Sequence, residues 1–147
     1  MNLELRSITS ENWREAVFLS TDPKHLCPID EEWIASNAFS LVQAAYEPQW
    51  ICRLIVADDK PVGFAFYGLD DGVPCLCRYM IDAREQGKGY GKAALALVVE
   101  EMRRQFDSQE IWVTIEKKNE RALHLYESFG FQDSGKQEYT ESWYVLR

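Results

Sequence analysis

One segment in the middle of the chain constrains the fold more than any other feature. Residues 73–81 form an apolar strand-like run, residues 89–106 repeat apolar side chains at helical spacing, and residues 111–116 alternate as a strand does. A strand, helix and strand in this order form a crossover connection, which joins parallel neighbours in one sheet. The sheet is therefore predicted to contain a parallel pair.

The segments on either side of the crossover predict antiparallel pairing. Three predicted strands, over residues 51–57, 62–69 and 73–81, are separated by the turns 58–61 and 70–72. Links this short join antiparallel neighbours. With one more strand over residues 2–8 and two within 131–147, the sequence predicts an α/β (α+β) fold with a mixed, mostly antiparallel sheet of about seven strands.

About four helices are predicted to flank this sheet. They run from Ser10 to about Leu19, from Asp30 to just before Pro48, over residues 89–106, and from the cap residue Asn119 to Gly130. No repeat, linker or change in composition interrupts residues 1–147. The chain is expected to be a single domain.

The charge and hydropathy of the chain narrow its partners. The formal net charge is −8, which disfavours sequence-independent binding to nucleic acid or to an anionic membrane and suits a cationic small molecule. No stretch is long and apolar enough for a secretory signal or a membrane span, so a cytoplasmic protein is expected. The four cysteines, Cys27, Cys52, Cys75 and Cys77, lack the spacing of zinc ligands and are expected to be reduced thiols, with no metal site.

Three glycines alternate where strand 73–81 meets the long helix. Gly87, Gly89 and Gly91 lack a Cβ, so the backbone N–H groups around them can converge on an anion at the positive end of the helix dipole. This corner is a candidate site for a phosphate-bearing ligand.

Two familiar phosphate-binding patterns do not fit the corner. The P-loop requires a glycine where Gln86 stands and a hydroxyl residue where Ala93 stands, and the dinucleotide fingerprint requires a glycine in place of Lys92. Lys88 and Lys92 lie in or beside the first helical turn, where a cation opposes the dipole unless a polyanion binds. A flexible glycine turn with solvated lysines is the alternative.

The corner resembles a motif of the GNAT superfamily of acetyl-CoA-dependent N-acetyltransferases. The run Gln86-Gly87-Lys88-Gly89-Tyr90-Gly91 matches Gln/Arg-x-x-Gly-x-Gly/Ala, which in that family cradles the CoA pyrophosphate. Residues 119–131 are similar to the second motif of the family and stand at the expected distance. The resemblance covers nearly the whole chain and implies a GNAT-like fold and an acyltransferase that uses acetyl-CoA.

The resemblance implies which residues hold the cofactor. The predicted set is Met80, Ile81, Gln86, Gly87, Lys88, Gly89, Tyr90, Gly91, Lys92, Asn119 and Tyr126. In the family the strand before the corner splays from the next strand, and its backbone, here Met80 and Ile81, pairs with the pantetheine amides. Asn119 is expected to contact the pantetheine arm or to order the loop around it.

The same resemblance implies the catalytic groups. Tyr126 shares a helix face with Ala122 and Phe129, which directs its ring inward, and by resemblance it is the general acid that protonates the CoA sulfur. A tyrosine that merely packs is the alternative. No cysteine or serine with a partnered histidine is evident, which favours direct attack by the amine. Polyamine-acetylating relatives often carry a carboxylate where Cys77 stands, so Glu116 or a water chain is the candidate base.

The acceptor is predicted to be a primary amine of a polyamine or diamine such as spermidine. Residues 62–69 and 78–82 are similar to the diamine and spermidine N-acetyltransferase branch. The candidate substrate-binding residues are Asp30, Glu31, Glu32 and Tyr79, with Trp33 and Trp112 as further cation-π walls. Helix-favouring acids and core aromatics are the alternatives.

Two other functions remain open from the sequence. A protein, peptide or aminoglycoside-type N-acetyltransferase would use the same cofactor site with a different acceptor groove. A non-catalytic acyl-CoA-binding sensor would retain the fold alone. A homodimer is also left open.

Overall fold

Seven strands and four helices make up the part of the chain that the computed structural model describes, residues 2–21 and 36–147. In chain order they are β1 (Leu3–Ser7), α1 (Trp13–Phe18), α2 (Asn37–Tyr46), β2 (Trp50–Ala57), β3 (Lys60–Asp70), β4 (Val73–Ile81), α3 (Tyr90–Phe106), β5 (Ile111–Glu116), α4 (Glu120–Phe129), β6 (Gln132–Glu138) and β7 (Glu141–Leu146). A short 3₁₀ turn, Ala83–Glu85, joins β4 to the glycine corner.

The strands form one mixed sheet in the order β1-β2-β3-β4-β5-β7-β6. The pair β4 and β5 is parallel, as the crossover through α3 requires, and the other neighbours are antiparallel. The prediction of a mixed, mostly antiparallel sheet is confirmed.

Apolar side chains cover both faces of the sheet. On one face α3 and α4 bury a core that includes Leu76, Leu95, Met102 and Val113. On the other face α1 and α2 cover a second core around Leu54 and Phe66. These two faces are called the α3/α4 face and the α1/α2 face.

Two helices begin later than the sequence predicts. Asn12 binds Thr9 N and Ser7 O through its side-chain amide, so residues 9–12 form a turn tied to β1 and α1 begins at Trp13. Ser36 has an extended backbone and its hydroxyl accepts a hydrogen bond from Phe39 N, so α2 begins at Asn37 rather than running unbroken from Asp30. The residues before Ser36 in that prediction lie outside the described part of the chain.

The pairing of β3 with β4 contains a bulge at Cys77. Phe66 pairs with Arg78 and Tyr67 pairs with Leu76, which leaves Cys77 as the extra residue of β4. The bulge brings its Sγ atom within 3.1 Å of the Cys75 Sγ atom, and both cysteines are free thiols, as is the buried Cys52. Cys27 lies outside the described residues. Over residues 2–21 and 36–147 no group of three potential metal ligands is found, and no helix there could span a membrane.

Candidate active site

The sheet opens between its two parallel strands. The pairing of β4 with β5 consists of Cys75 with Trp112 and Leu76 with Val113, although β4 continues to Ile81 and β5 to Glu116. Beyond Leu76, therefore, the edge of β4 that faces β5 keeps its backbone N–H and C=O groups free of that ladder. An extended amide-bearing ligand can add to such an edge as a strand would. Met80 and Ile81, predicted to contact the pantetheine arm, lie on this edge.

The glycine corner lies where β4 ends at this opening. Gly87 and Gly89 have φ of +79° and +85°, and a Cβ at either position would meet no atom within 4 Å. Gly89 is the cap residue of α3 and has no side chain to satisfy the first N–H groups of the helix. The first N–H groups of a helix suit an anion, and the open space beside the two glycines leaves room for one.

Gln86 ties the corner to its neighbours and does not point freely into solvent. Its Nε2 atom donates to the Ile81 carbonyl at 2.9 Å, and its Oε1 atom accepts a hydrogen bond from Arg121 on α4. The predicted cofactor residue Gln86 therefore fixes the corner against both β4 and α4. Tyr90 and Lys92 follow in the first turn of α3, with Lys92 exposed.

Lys88 has a carboxylate partner that the sequence did not indicate. Its Nζ atom lies 2.8 Å from Glu85 Oε2, and Lys60 binds the other oxygen of the same buried carboxylate. Hydrogen bonds from Lys60 and Lys88 hold the pKa of Glu85 below its usual value. The two lysines and Arg84 line a cleft of about 550 Å³ beside the corner, so Lys88 is held near the predicted phosphate site while partly neutralised.

A buried aspartate at the end of β4 holds the chain that leads into the glycine corner. The Asp82 carboxylate, 4% exposed, accepts hydrogen bonds from Ser20 N and Arg84 N, both at 3.0 Å, and forms an ion pair with Arg84. Burial alone would raise its pKa, but the bonds from Arg84 and Ser20 outweigh burial and hold the pKa below the ordinary value. Asp82 thereby connects the chain after α1 to the end of β4.

Substituting Asp82→Asn is expected to lower the free energy of unfolding by about 1–3 kcal/mol at neutral pH, because the amide loses charge-assisted bonds in a buried position. A carboxylate whose pKa is lowered by folding stabilises the native state at pH values above its unfolded-state pKa. This contribution disappears as the pH falls through the folded-state pKa. The difference in unfolding free energy between wild type and Asp82→Asn should therefore become smaller below about pH 4. Denaturant unfolding across the acid range measures this, with Asp70→Asn, at the end of β3, as the control. A difference in unfolding free energy that does not change with pH would contradict the prediction.

Tyr126 lies on α4, in the core of the α3/α4 face and near Cys75 and Cys77 of β4. The side chain, 7% exposed, packs edge-on against Phe131 with ring centroids 5.4 Å apart. Its hydroxyl makes no hydrogen bond within residues 2–21 and 36–147. Burial raises the pKa of Tyr126 above its ordinary value, and Cys75 and Cys77 add to the rise. The phenol is therefore a protonated donor at neutral pH with a free O–H.

Asn119 and Tyr79 each have a defined partner. The Asn119 side-chain oxygen caps α4 by accepting from Ala122 N at 3.2 Å, which orders the loop after β5. The Tyr79 phenol donates to the Gly91 carbonyl, on the α3/α4 face. That bond anchors β4 to the start of α3, and the predicted role of Tyr79 in substrate binding stays a prediction.

The opposite side of the opening carries acidic and aromatic side chains. On β5 the residues Trp112, Thr114 and Glu116 alternate with the core residues of the α3/α4 face and so lie on the α1/α2 face. Trp112 packs edge-on against Trp143, with centroids 6.3 Å apart. Glu116, the predicted base, accepts a hydrogen bond from the Thr140 hydroxyl.

Sequence reasoning missed Glu141, the first residue of β7. It pairs with Glu116 across the ladder and accepts a hydrogen bond from Thr114. Burial raises the pKa of Glu141, and nearby carboxylates add to this rise. A charged residue in period-two alternation with Trp143 and Val145 is the signal that could have identified it.

The other predicted acceptor residues cannot be placed. Asp30, Glu31, Glu32 and Trp33 lie outside the described residues, so their part in the site stays a prediction.

Comparison with known proteins agrees with this geometry. The sequence model of the acetyltransferase (GNAT) family matches residues 4–131. The chain is 36% identical to the spermine/spermidine N(1)-acetyltransferase of Bacillus subtilis strain 168, over 92% of this chain and 91% of that protein.

Solved structures share the fold at lower identity. The PaiA N-acetyltransferase of Thermoplasma acidophilum, solved with coenzyme A, superposes with a TM-score of 0.76 at 17% identity over 100% of this chain and 99% of the other. The spermidine N-acetyltransferase of Vibrio cholerae, solved with CoA and spermine, gives 0.72 at 15% identity over 98% and 93%. With its open parallel pair, glycine corner and matching family model, the chain belongs to the GNAT acetyltransferase family and is an acyltransferase whose cosubstrate is acetyl-CoA.

Proposed function

We propose that this enzyme acetylates a primary amine of a polyamine or diamine, such as spermidine, by direct transfer from acetyl-CoA. The observation that carries the proposal is the 36% identity, over nearly the full length of both chains, to a protein named spermine/spermidine N(1)-acetyltransferase. The net charge of −8 gives the protein a field that attracts a polycation.

The shape of the sheet suits a cofactor and an amine that enter the same gap by different routes. The pyrophosphate would lie at Gly87 and Gly89, and the pantetheine arm would run along the free edge of β4 at Met80 and Ile81. This arrangement directs the thioester toward the gap between β4 and β5. The amine would reach the gap from the α1/α2 face, which is therefore the acceptor face.

Side chains on the acceptor face match a cationic substrate. Glu116 and Glu141 lie side by side at the ends of β5 and β7, and the rings of Trp112 and Trp143 adjoin them. The Lys136 ammonium lies 4.4 Å from the centroid of Trp143, so a ring of this pair already accommodates a cation. Carboxylates and indole rings together favour protonated amines over neutral or anionic acceptors.

The chemistry then follows from the groups at the gap. The neutral amine nitrogen attacks the thioester carbonyl carbon, the C–S bond breaks, and the Tyr126 hydroxyl gives its proton to the departing sulfur. The amine must lose one proton, and Glu116 or a water chain is the predicted acceptor of that proton. A carboxylate or water route suffices because a small neutral fraction of the amine exists at neutral pH.

A thiol-release assay with acetyl-CoA tests the proposal. The panel contains spermidine, spermine, short diamines, an aminoglycoside and peptides with free α-amines. We expect kcat/KM for at least one polyamine to exceed that for the peptides by about 100-fold or more, since a desolvated charge contact contributes a few kcal/mol of discrimination.

Two outcomes would contradict this assignment. Faster turnover of peptides or aminoglycosides than of any polyamine would assign the enzyme to those acceptors. Tight CoA binding without turnover of any amine would indicate an acyl-CoA sensor.

A further inference from the structure

We propose that Glu141 is the carboxylate that binds the acceptor ammonium and takes its proton before attack; this rests on the direct transfer proposed above. The sequence offered Glu116 for this step. The structure favours its ladder partner on β7, which shares the same face, for reasons of position and hydrogen bonding.

The register places Glu141 on the acceptor face. Directly paired residues of an antiparallel ladder project to the same side, and Glu141 pairs with Glu116 on β5. Tyr144 and Leu146 alternate along β7 with the residues on the Glu141 side, and both belong to the core beneath α3 and α4. The Glu141 side chain therefore points away from that core and toward the side where the amine would arrive.

The position of Glu141 relates it to the reacting groups through Cys75. Cys77 and burial are the main causes that raise the pKa of the Cys75 thiol, and the nearby Glu141 charge adds to the rise. Burial raises the pKa of the Tyr126 phenol, and Cys75 and Cys77 add to it. Cys75 and Leu76 are the two residues of β4 that pair with β5, and the sheet opens beyond Leu76. Glu141 and Tyr126 thus lie on either side of the point where the sheet opens, as a base for the nucleophile and an acid for the leaving group require.

Hydrogen bonding separates Glu141 from the two carboxylates beside it. Glu116 binds the Thr140 hydroxyl at the strand end, and Glu138 accepts a hydrogen bond from Trp143 Nε1 at 3.3 Å while remaining exposed. Glu141 is half-buried, and the Thr114 hydroxyl that binds it leaves further lone pairs of the carboxylate for a ligand. A fixed, half-desolvated carboxylate contacts an ammonium more strongly than a solvated one.

The charges that face Glu141 act in opposite directions. Glu116 from β5 and Glu138 from β6 raise its pKa, and Arg78 from β4 lowers it. Arg78 is held by Ser40 at 2.8 Å and lies over Phe66, so its guanidinium is anchored toward α2. The proton moves from the ammonium nitrogen to a Glu141 oxygen, leaving a neutral amine and a neutral carboxyl, which returns the proton to water after transfer.

The substitution Glu141→Gln tests this role, because glutamine retains the acceptor for Thr114. We expect kcat/KM for the amine to fall about 100-fold near pH 7, with the dissociation constant for acetyl-CoA within about twofold of wild type. The deficit should shrink toward pH 10, because the neutral fraction of an alkylamine rises about tenfold per pH unit below its pKa. A purely structural role would give a deficit that does not change with pH.

Thermal unfolding gives a second readout. A carboxyl whose pKa is raised by folding stabilises the protein below its unfolded-state pKa, and this contribution is lost as pH rises through the folded-state pKa. At neutral pH the ionised Glu141 is therefore unfavourable for folding, and Glu141→Gln should melt at a higher temperature than wild type while being less active. A lower melting temperature together with a loss of activity that does not change with pH would indicate a structural role and overturn the proposal.

Two further variants complete the test. Glu138→Gln changes an exposed carboxylate on the same face and should keep kcat/KM within about threefold of wild type. Glu141→Asp keeps the charge and should retain more activity than Glu141→Gln. A large loss in Glu116→Gln with near-normal activity in Glu141→Gln would overturn the proposal and assign the base to Glu116.

The assay uses whichever amine the wild-type enzyme acetylates fastest. If that amine is a peptide, the polyamine assignment fails while the pH-dependent deficit of Glu141→Gln still decides the role of Glu141. If the wild-type enzyme acetylates no amine, both proposals are overturned.

Discussion

Replacing Tyr126 by phenylalanine is expected to lower kcat about 1000-fold near pH 7 while leaving the affinity for acetyl-CoA within about twofold. The hydroxyl makes no hydrogen bond within residues 2–21 and 36–147, so its removal leaves no buried partner unsatisfied. What is lost is the proton that the CoA sulfur receives as the C–S bond breaks.

The pH dependence of this variant follows from the pKa of the phenol. A general acid acts only while it is protonated, and burial holds the pKa of Tyr126 above its ordinary value. The loss in Tyr126→Phe should therefore persist through neutral and mildly alkaline pH. Stopped-flow measurement of thiol release, with isothermal titration of acetyl-CoA, checks both parts.

The matched control for this prediction is Tyr144→Phe. Tyr144 is a buried tyrosine of the same α3/α4 core, so the chemical change and the environment are comparable. It should lower kcat by no more than about twofold, as expected of a small core change. Equal losses in the two variants would show that Tyr126 only packs.

Replacing Gly89 by valine is expected to weaken acetyl-CoA binding about 100-fold. The residue has φ of +85°, where a β-branched side chain is strained, and the new side chain would stand at the cap of α3, where Gly89 leaves open space. A phosphate held there by charge-assisted bonds would lose about 1.5–3 kcal/mol per bond. Equilibrium binding of CoA measures the effect.

Gly72 offers a control with the same backbone geometry. Its φ is +82° and a Cβ there would also meet no atom within 4 Å, but it lies in the turn before β4, at the opposite end of that strand. Gly72→Val should cost similar strain, about 1–2 kcal/mol of unfolding free energy, without changing CoA affinity. If both variants weaken CoA equally, general destabilisation and not the corner accounts for the loss.

Local signals in the sequence were sufficient to predict most of the fold. The alternation of β2 to β4, the short turns between them and the apolar stripe of α3 depend on residues within a few positions of one another. Asn119 and Gly130 marked the two ends of α4 for the same reason. The predicted start of α1 was too early because the Asn12 side chain binds the Ser7 carbonyl on the preceding strand. A sequence pattern does not reveal that contact.

The sequence by itself determined the crossover, the mixed sheet and the glycine corner, since strand periodicity, helix periodicity and the absence of Cβ atoms are properties of neighbouring residues. Only the tertiary structure decided that β7 inserts beside β5 and sets Glu141 against Glu116, and that Glu85 binds Lys88. Strand register joins residues that are distant in sequence, and an ion pair forms between one charged side chain and one of several possible partners. Their outcome depends on how the whole sheet packs.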